Sequence, residues 1–211
     1  MAANFISCQQ NHIFTHSNAR DLQMLKKEAR RLYRDKRKAI SHSQREKWDD
    51  LILIQFQKLN LPFVETLFSY VAMESHNEID PSNIIRFLKF TNPELIVAYP
   101  VCNLNDHTMK AIIACDDEFT LNQLEIPEPC SNEELTAQDI DLIIVPLLCF
   151  DKEGYRVGYG KGFYDKFLTG CNDDVIKIGL SYFDPVDKIR DREEFDVPLN
   201  YCVTPYQIYD F

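Results

Sequence analysis

The sequence predicts one α/β domain built on a largely parallel sheet. Short apolar runs alternate along the chain with helical or turn-like polar stretches, the rhythm of strands joined by crossover helices. One run, Asp141–Val145 (DLIIV), is continuously apolar after its first residue, as a strand buried on both faces must be. No internal repeat or low-complexity linker interrupts the pattern, so residues 20–211 are read as a single domain.

The elements follow in order. Residues 1–19 hold no Lys, Arg, Asp or Glu and show no period; they are read as a flexible N-terminal extension. From Leu22 the apolar positions Leu22, Leu25, Ala29, Leu32, Tyr33 and Ala39 recur at helical spacing, with basic residues opposite. Ser41-His42-Ser43-Gln44 has the form of a capping box and opens a second helix. That helix turns Trp48, Leu51, Ile52, Phe56 and Leu59 inward and stops before Pro62. Thr66–Ala72 (TLFSYVA) reads as a strand, and Pro81–Phe90 as a helix with proline in its first turn. Leu95–Tyr99, Lys110–Cys115 and Val175–Tyr182 read as further strands, with a helix ending near Leu168 before the last of them.

Composition narrows the function. A chain of 211 residues buries roughly 70 % of its unfolded surface, enough for a sizeable core. No apolar run approaches the roughly 20 residues of a membrane span, and the N-terminus does not read as a signal peptide. Seven cysteines (Cys8, Cys102, Cys115, Cys130, Cys149, Cys171 and Cys202) are scattered and never spaced CxxC. That pattern fits free or buried thiols in a reducing cytoplasm rather than disulfides or a zinc site. The five histidines likewise show no metal spacing. Phe14, Phe63 and Phe68 are read as core or staple residues. The net charge of −10 disfavours nucleic acid as a general partner. Charge is nonetheless uneven: nine of the 23 basic residues lie between Arg20 and Lys38, against three acids. An acidic protein with one basic helix points to a compact anionic ligand.

The chain has six glycines, and four of them (Gly154, Gly158, Gly160 and Gly162) fall within the stretch 154–162. Glycine lets backbone approach a ligand closely and take positive φ, at an entropic cost. Arg156 and Lys161 are interleaved with them, after a buried strand and before the helical stretch Phe163–Leu168. Such a strand–loop–helix presents backbone N–H groups and cations to a phosphate. A Gly-rich hairpin or tight turn is the alternative, and the run matches neither a P-loop nor GxGxxG. Asp165 closes the loop, where a carboxylate either holds Mg²⁺ against phosphate oxygens or stabilises the following helix.

The stretch Asp141–Asp165, DLIIVPLLCFDKEGYRVGYGKGFYD, resembles the signature of the 5-formyltetrahydrofolate cyclo-ligase (5,10-methenyltetrahydrofolate synthetase) family. The resemblance runs over about Lys26–Thr204 and implies a Rossmann-like three-layer sandwich. It also implies ATP-dependent conversion of 5-formyltetrahydrofolate to 5,10-methenyltetrahydrofolate, with ADP and phosphate released. By that resemblance Lys26, Arg30, Arg156, Val157 and the run Gly158, Tyr159, Gly160, Lys161, Gly162, Phe163 and Tyr164 contact ATP, with Lys161, Arg156 and Tyr164 closest to the chemistry. Asp165 and Asp196 correspond to Mg²⁺-binding acids. Val71, Glu78, Pro100 and Met109, with Tyr159–Phe163, correspond to the folate site.

Glu78 is the candidate for gripping ring N–H groups, since a carboxylate accepts them, although it also reads as a capping acid before the Pro81 helix. Tyr159 stands where relatives vary, so it is read through its backbone. Leu124 stands where some relatives carry an aromatic residue. Lys27, Arg31, Arg34, Arg37 and Lys38 are read as surface charge, within reach of a folate polyglutamate tail. The expected partners are ATP and folate rather than nucleic acid or membrane, with the chain a monomer. Two other readings stand: a phosphosugar isomerase or CoA-transferase-like enzyme using the loop for a substrate phosphate, and a module docking RNA on the basic helix.

Overall fold

The computed structural model describes residues 23–114, 119–122 and 127–211. The expectations for the extension 1–19, for Leu22, Phe14, Cys8, Cys115 and Leu124, and for His12 and His16 lie outside the described residues.

Eight strands form one sheet: β1 (Thr66–Phe68), β2 (Ile96–Asn103), β3 (Thr108–Ile113), β4 (Glu134–Leu135), β5 (Leu142–Val145), β6 (Ile176–Leu180), β7 (Tyr201–Val203) and β8 (Ile208–Asp210). Their spatial order is β8-β7-β6-β5-β1-β2-β3-β4. The pairings from β7 through to β2 are parallel, while β8, β3 and β4 add antiparallel edges. The expected α/β fold with a largely parallel sheet is therefore present. The chain leaves β1 for β2 on one side, whereas β5 proceeds to β6 and β7 on the other. β1 and β5 thus flank a topological switch point, where open α/β sheets bind ligands outside the strand C-termini.

The sheet is buried on both faces by a two-residue alternation. Leu67, Val97, Tyr99, Leu142, Ile144, Ile178 and Val203 pack beneath α2 (His42–Phe56) and α3 (Ser82–Thr91). Phe68, Ala98, Ile143, Val145 and Cys202 face the opposite cluster, which includes Phe167 and Leu168 of α4 (Phe163–Leu168). The remaining helix, α1 (Lys26–Lys38), joins a smaller cluster through Ala29 and Tyr33 against Leu148, Cys149 and Val157.

Boundaries moved in explicable ways. The first helix begins at Lys26, because Gln23–Met24 pairs as a strand with Lys188–Ile189. Ser41 caps α2 as expected, its Oγ accepting the Gln44 N–H at 3.2 Å. The strand expected over 66–72 spans only Thr66–Phe68. Phe68 is core, but Phe63 is 70 % exposed, so the core or staple role expected for it is not present. The five described cysteines are all free. Among the described residues, no helix is long and apolar enough to cross a membrane.

Candidate active site

Directly after β5 the chain makes a short antiparallel hairpin, Cys149–Phe150 against Arg156–Val157. Asp151, wholly buried, ties it down. Its Oδ1 accepts the N–H groups of Glu153 and Tyr155 at 3.0 and 3.1 Å. Its Oδ2 accepts the Ile189 N–H at 2.9 Å and the Arg192 guanidinium. The hairpin delivers Gly158–Gly162 beside α1, and α4 begins at Phe163 as expected. Gly160 and Gly162 lie at φ +93° and +74°, in the left-handed region. Gly160 is constrained twice, because a Cβ there would stand 3.0 Å from Cζ of Arg30. Arg30 in turn donates from Nε to the Gly158 carbonyl at 3.0 Å, which fixes the basic helix against the loop.

On one side of the loop, cations and acids interleave. Buried Arg156 donates to Asp165 Oδ1 at 2.8 Å and to the Val197 carbonyl. Burial pushes its guanidinium below its ordinary range, and the Asp165 charge opposes that push. Asp165 also accepts the Val197 N–H at 3.3 Å. Lys26 grips Asp196 through both carboxylate oxygens, at 2.6 and 2.8 Å. Asp196 accepts a further bond from Glu193 N–H at 2.8 Å. Each expected metal acid is thus paired with an expected nucleotide cation. Lys161 is exposed at the crest of the loop. Among the described residues no cluster of three or more His, Cys, Asp or Glu forms a metal cage. Two carboxylates suit Mg²⁺ all the same, since it keeps several waters and takes substrate phosphates as ligands.

On the other side stands Glu78, 5 % exposed. Its Oε2 accepts the Met73 N–H at 2.8 Å and its Oε1 accepts the Tyr159 hydroxyl, so it braces its own turn rather than capping α3. Pro81 stands at the N-cap of α3, and Asp80 before it accepts the Ser82 N–H at 2.9 Å. Tyr70, Tyr159 and Tyr164 surround the carboxylate. Burial, and after it the Glu78 charge, pushes the Tyr70 and Tyr159 phenols up; Tyr164 is raised by burial first, then by Cys102 and Glu78. The Tyr164 hydroxyl, Ser69 Oγ at the end of β1 and Arg37 Nε are buried without hydrogen-bond partners. Buried polar atoms are normally paired, so unpartnered ones gathered here fit a site made for polar ligands.

The expected apolar contacts divide. Pro100 and Met109 are buried in the antiparallel β2–β3 pair, and Met109 belongs to the α4-side cluster. Val71 packs on the α2/α3 side, so these two do not share one apolar cluster. Phe163 carries the His107 ring at 5.7 Å.

Two side chains correct the sequence reading. Arg37, expected as surface charge, is 3 % exposed and donates to the Tyr159 hydroxyl at 3.0 Å and the Leu147 carbonyl at 2.5 Å. Its position was legible, because Ala29, Tyr33 and Arg37 fall at i, i+4 and i+8 of one stripe. Tyr159, expected to act through its backbone, bridges Arg37 and Glu78 with its side chain.

Comparisons with known proteins place the chain in a family and agree on the fold. A family model described as the 5-formyltetrahydrofolate cyclo-ligase family matches residues 17–205. A 5-formyltetrahydrofolate cyclo-ligase of Mycoplasma genitalium is 36 % identical over 34 % of this chain and 44 % of its own length. That of Escherichia coli K12 is 32 % identical over 44 % of this chain and 53 % of its own. The chain thus spans about half the length of such relatives. A mitochondrial 5-formyltetrahydrofolate cyclo-ligase of Arabidopsis thaliana is 30 % identical over 74 % of this chain and 62 % of its own. Among solved structures, the 5,10-methenyltetrahydrofolate synthetase of Aquifex aeolicus superposes with a TM-score of 0.72 at 24 % identity, covering 89 % of this chain and 93 % of that one. The corresponding Mycoplasma pneumoniae structure gives 0.66 at 23 %, covering 86 % and 99 %. At those identities the structures speak for the fold.

Proposed function

Because the chain belongs to the 5-formyltetrahydrofolate cyclo-ligase family, we propose that it uses ATP to close 5-formyltetrahydrofolate into 5,10-methenyltetrahydrofolate. The observation that carries this reading is the two-sided glycine-rich loop. Arg30 fastens one flank, alongside the Arg156–Asp165 and Lys26–Asp196 pairs, and on the other the Tyr159 hydroxyl donates to the buried carboxylate Glu78.

The chemistry needs both flanks. A formamide is unreactive through resonance, so its oxygen must become a leaving group. The formyl oxygen attacks the γ-phosphorus of ATP and ADP departs. Nitrogen 10 then attacks the formyl carbon and loses its proton, and the carbon–oxygen bond breaks as phosphate leaves. Phosphoryl transfer asks the protein chiefly for positioning and charge stabilisation. Arg156, buried and aimed by Asp165, and Lys161 on the exposed crest supply fixed positive charge. Arg30 and the loop N–H groups orient the nucleotide, and Glu78 accepts from the pterin ring. Tyr164 brings its buried hydroxyl between these groups. Mg²⁺, held by Asp165 and Asp196, would neutralise phosphate charge. No nucleophilic side chain is required. Five free cysteines among the described residues fit a reducing cytoplasm as the place of action.

Purified protein mixed with 5-formyltetrahydrofolate and Mg-ATP is expected to develop the near-ultraviolet absorbance of the methenyl product. A folded protein that produces no such change overturns the proposal. ATP turnover also separates it from an isomerase or CoA-transferase use of the loop, neither of which consumes ATP.

A further inference from the structure

Arg37 is the one buried cation of α1 that this chemistry leaves unused. The other basic residues along that helix from Lys27 to Lys38 are exposed or half-buried. Taking a guanidinium out of water is costly unless its donors are matched, so its partners define its task. One Nη donates to the Leu147 carbonyl, just past β5, and the other to the Tyr159 hydroxyl. A guanidinium can only donate. The Tyr159 oxygen therefore accepts from Arg37, and its single proton goes to Glu78 Oε1. With Met73 N–H on the opposite oxygen, Glu78 is held as an acceptor at both ends.

Further contacts stiffen this relay. The Arg34 guanidinium and the His76 ring each stand 5.7 Å from the centroid of the Tyr159 ring. Asn77, next to Glu78, donates to the Arg37 carbonyl at 3.2 Å and accepts from Arg45 at 3.2 Å. The turn that carries Glu78 is thus tied to the end of α1 by backbone as well as side chain.

We propose that Arg37 is a positioning residue for folate recognition. Through the Tyr159 hydroxyl it fixes the orientation of Glu78, and it links that grip to the loop that holds the nucleotide. This rests on the folate reading of Glu78 given above.

The test measures equilibrium binding of 5-formyltetrahydrofolate without ATP, KM for ATP, and melting, in Arg37→Met, Tyr159→Phe and the double variant. Each single change is expected to weaken folate binding roughly tenfold, the loss of one charge-assisted bond. The double variant should be no weaker than the worse single, because both cut one relay. KM for ATP should rise by less than folate affinity falls in every variant. Arg37→Lys keeps the charge without the two-pronged geometry, so it should fall between wild type and Arg37→Met. Additive losses, unchanged folate affinity, or equal losses for ATP and folate overturn the proposal. Should Arg37→Met fail to fold, Tyr159→Phe and Arg37→Lys decide by the same criteria. If the wild-type protein binds no folate, both the folate reading and this inference fall. Wild-type binding matched by an unimpaired Arg37→Met removes the inference alone.

Discussion

At the residue scale, the proposed phosphate role falls on three residues with different surroundings. Lys161 is exposed, so its removal should leave the fold intact. Lys161→Ala is expected to lower turnover by on the order of 10²–10³, the loss typical of one transition-state charge donor. A folded variant with near-wild-type turnover contradicts that role. Asp165 differs because buried Arg156 depends on it. Asp165→Asn keeps an acceptor but removes the charge, so it should weaken Mg²⁺-dependent ATP use and also cost about 1–3 kcal/mol of stability. Chemical denaturation beside ATP kinetics separates the two losses, and an unchanged stability would mean the ion pair contributes little. Gly160→Ala forces positive φ and crowds Arg30. Its KM for ATP should rise about tenfold if Arg30 must shift, the cost of roughly one polar contact. These residues were legible because glycines and charges cluster in sequence. Arg37 was read as surface charge because a basic residue on a basic helix looks solvated; only its place on the Ala29–Tyr33 stripe spoke against that.

At the element scale, the helices and parallel strands were legible where pattern and caps agreed. Ser41 over Gln44, the six residues of α4, and the apolar β5 all stand within a residue or so of expectation. The hairpin Cys149–Phe150/Arg156–Val157 stood only as an alternative, and the strands β4, β7 and β8 were not read. Two- and three-residue strands carry too little periodicity to register, and the hairpin depends on a buried Asp151 that sequence shows only as one acid among many. One prediction belongs to the contact between α2 and the end of β6. Tyr182 donates to Asp49 at 2.6 Å, and burial raises the Asp49 carboxyl from its ordinary value to about 6 despite that bond. A raised carboxyl favours the protonated native state. Its contribution is therefore present below the ordinary carboxylate range and lost as pH rises through about 6. Asp49→Asn removes the titration, so its stability relative to wild type should grow between roughly pH 4 and 7. A constant difference across that window would contradict the burial of the charge.

At the scale of the whole molecule, chain topology brings the site together. Parallel order reverses between β1 and β5, and the segments leaving those two strands carry Glu78 and the glycine-rich loop respectively. The basic helix closes over both through Arg30 and Arg37. Sequence spacing alone could not show that residues 37, 78 and 159 meet, because the pairings that unite them span the fold. The resulting site has cations on one flank of the loop and a buried acceptor on the other, which is the arrangement a two-substrate cyclisation asks for. The most direct test follows methenyl absorbance and ADP release together in one reaction of the purified protein with 5-formyltetrahydrofolate and Mg-ATP. The two are expected to rise in equal amounts, and neither without folate. ADP release that proceeds without folate, or folded protein that forms no methenyl product, would contradict the proposed cyclisation.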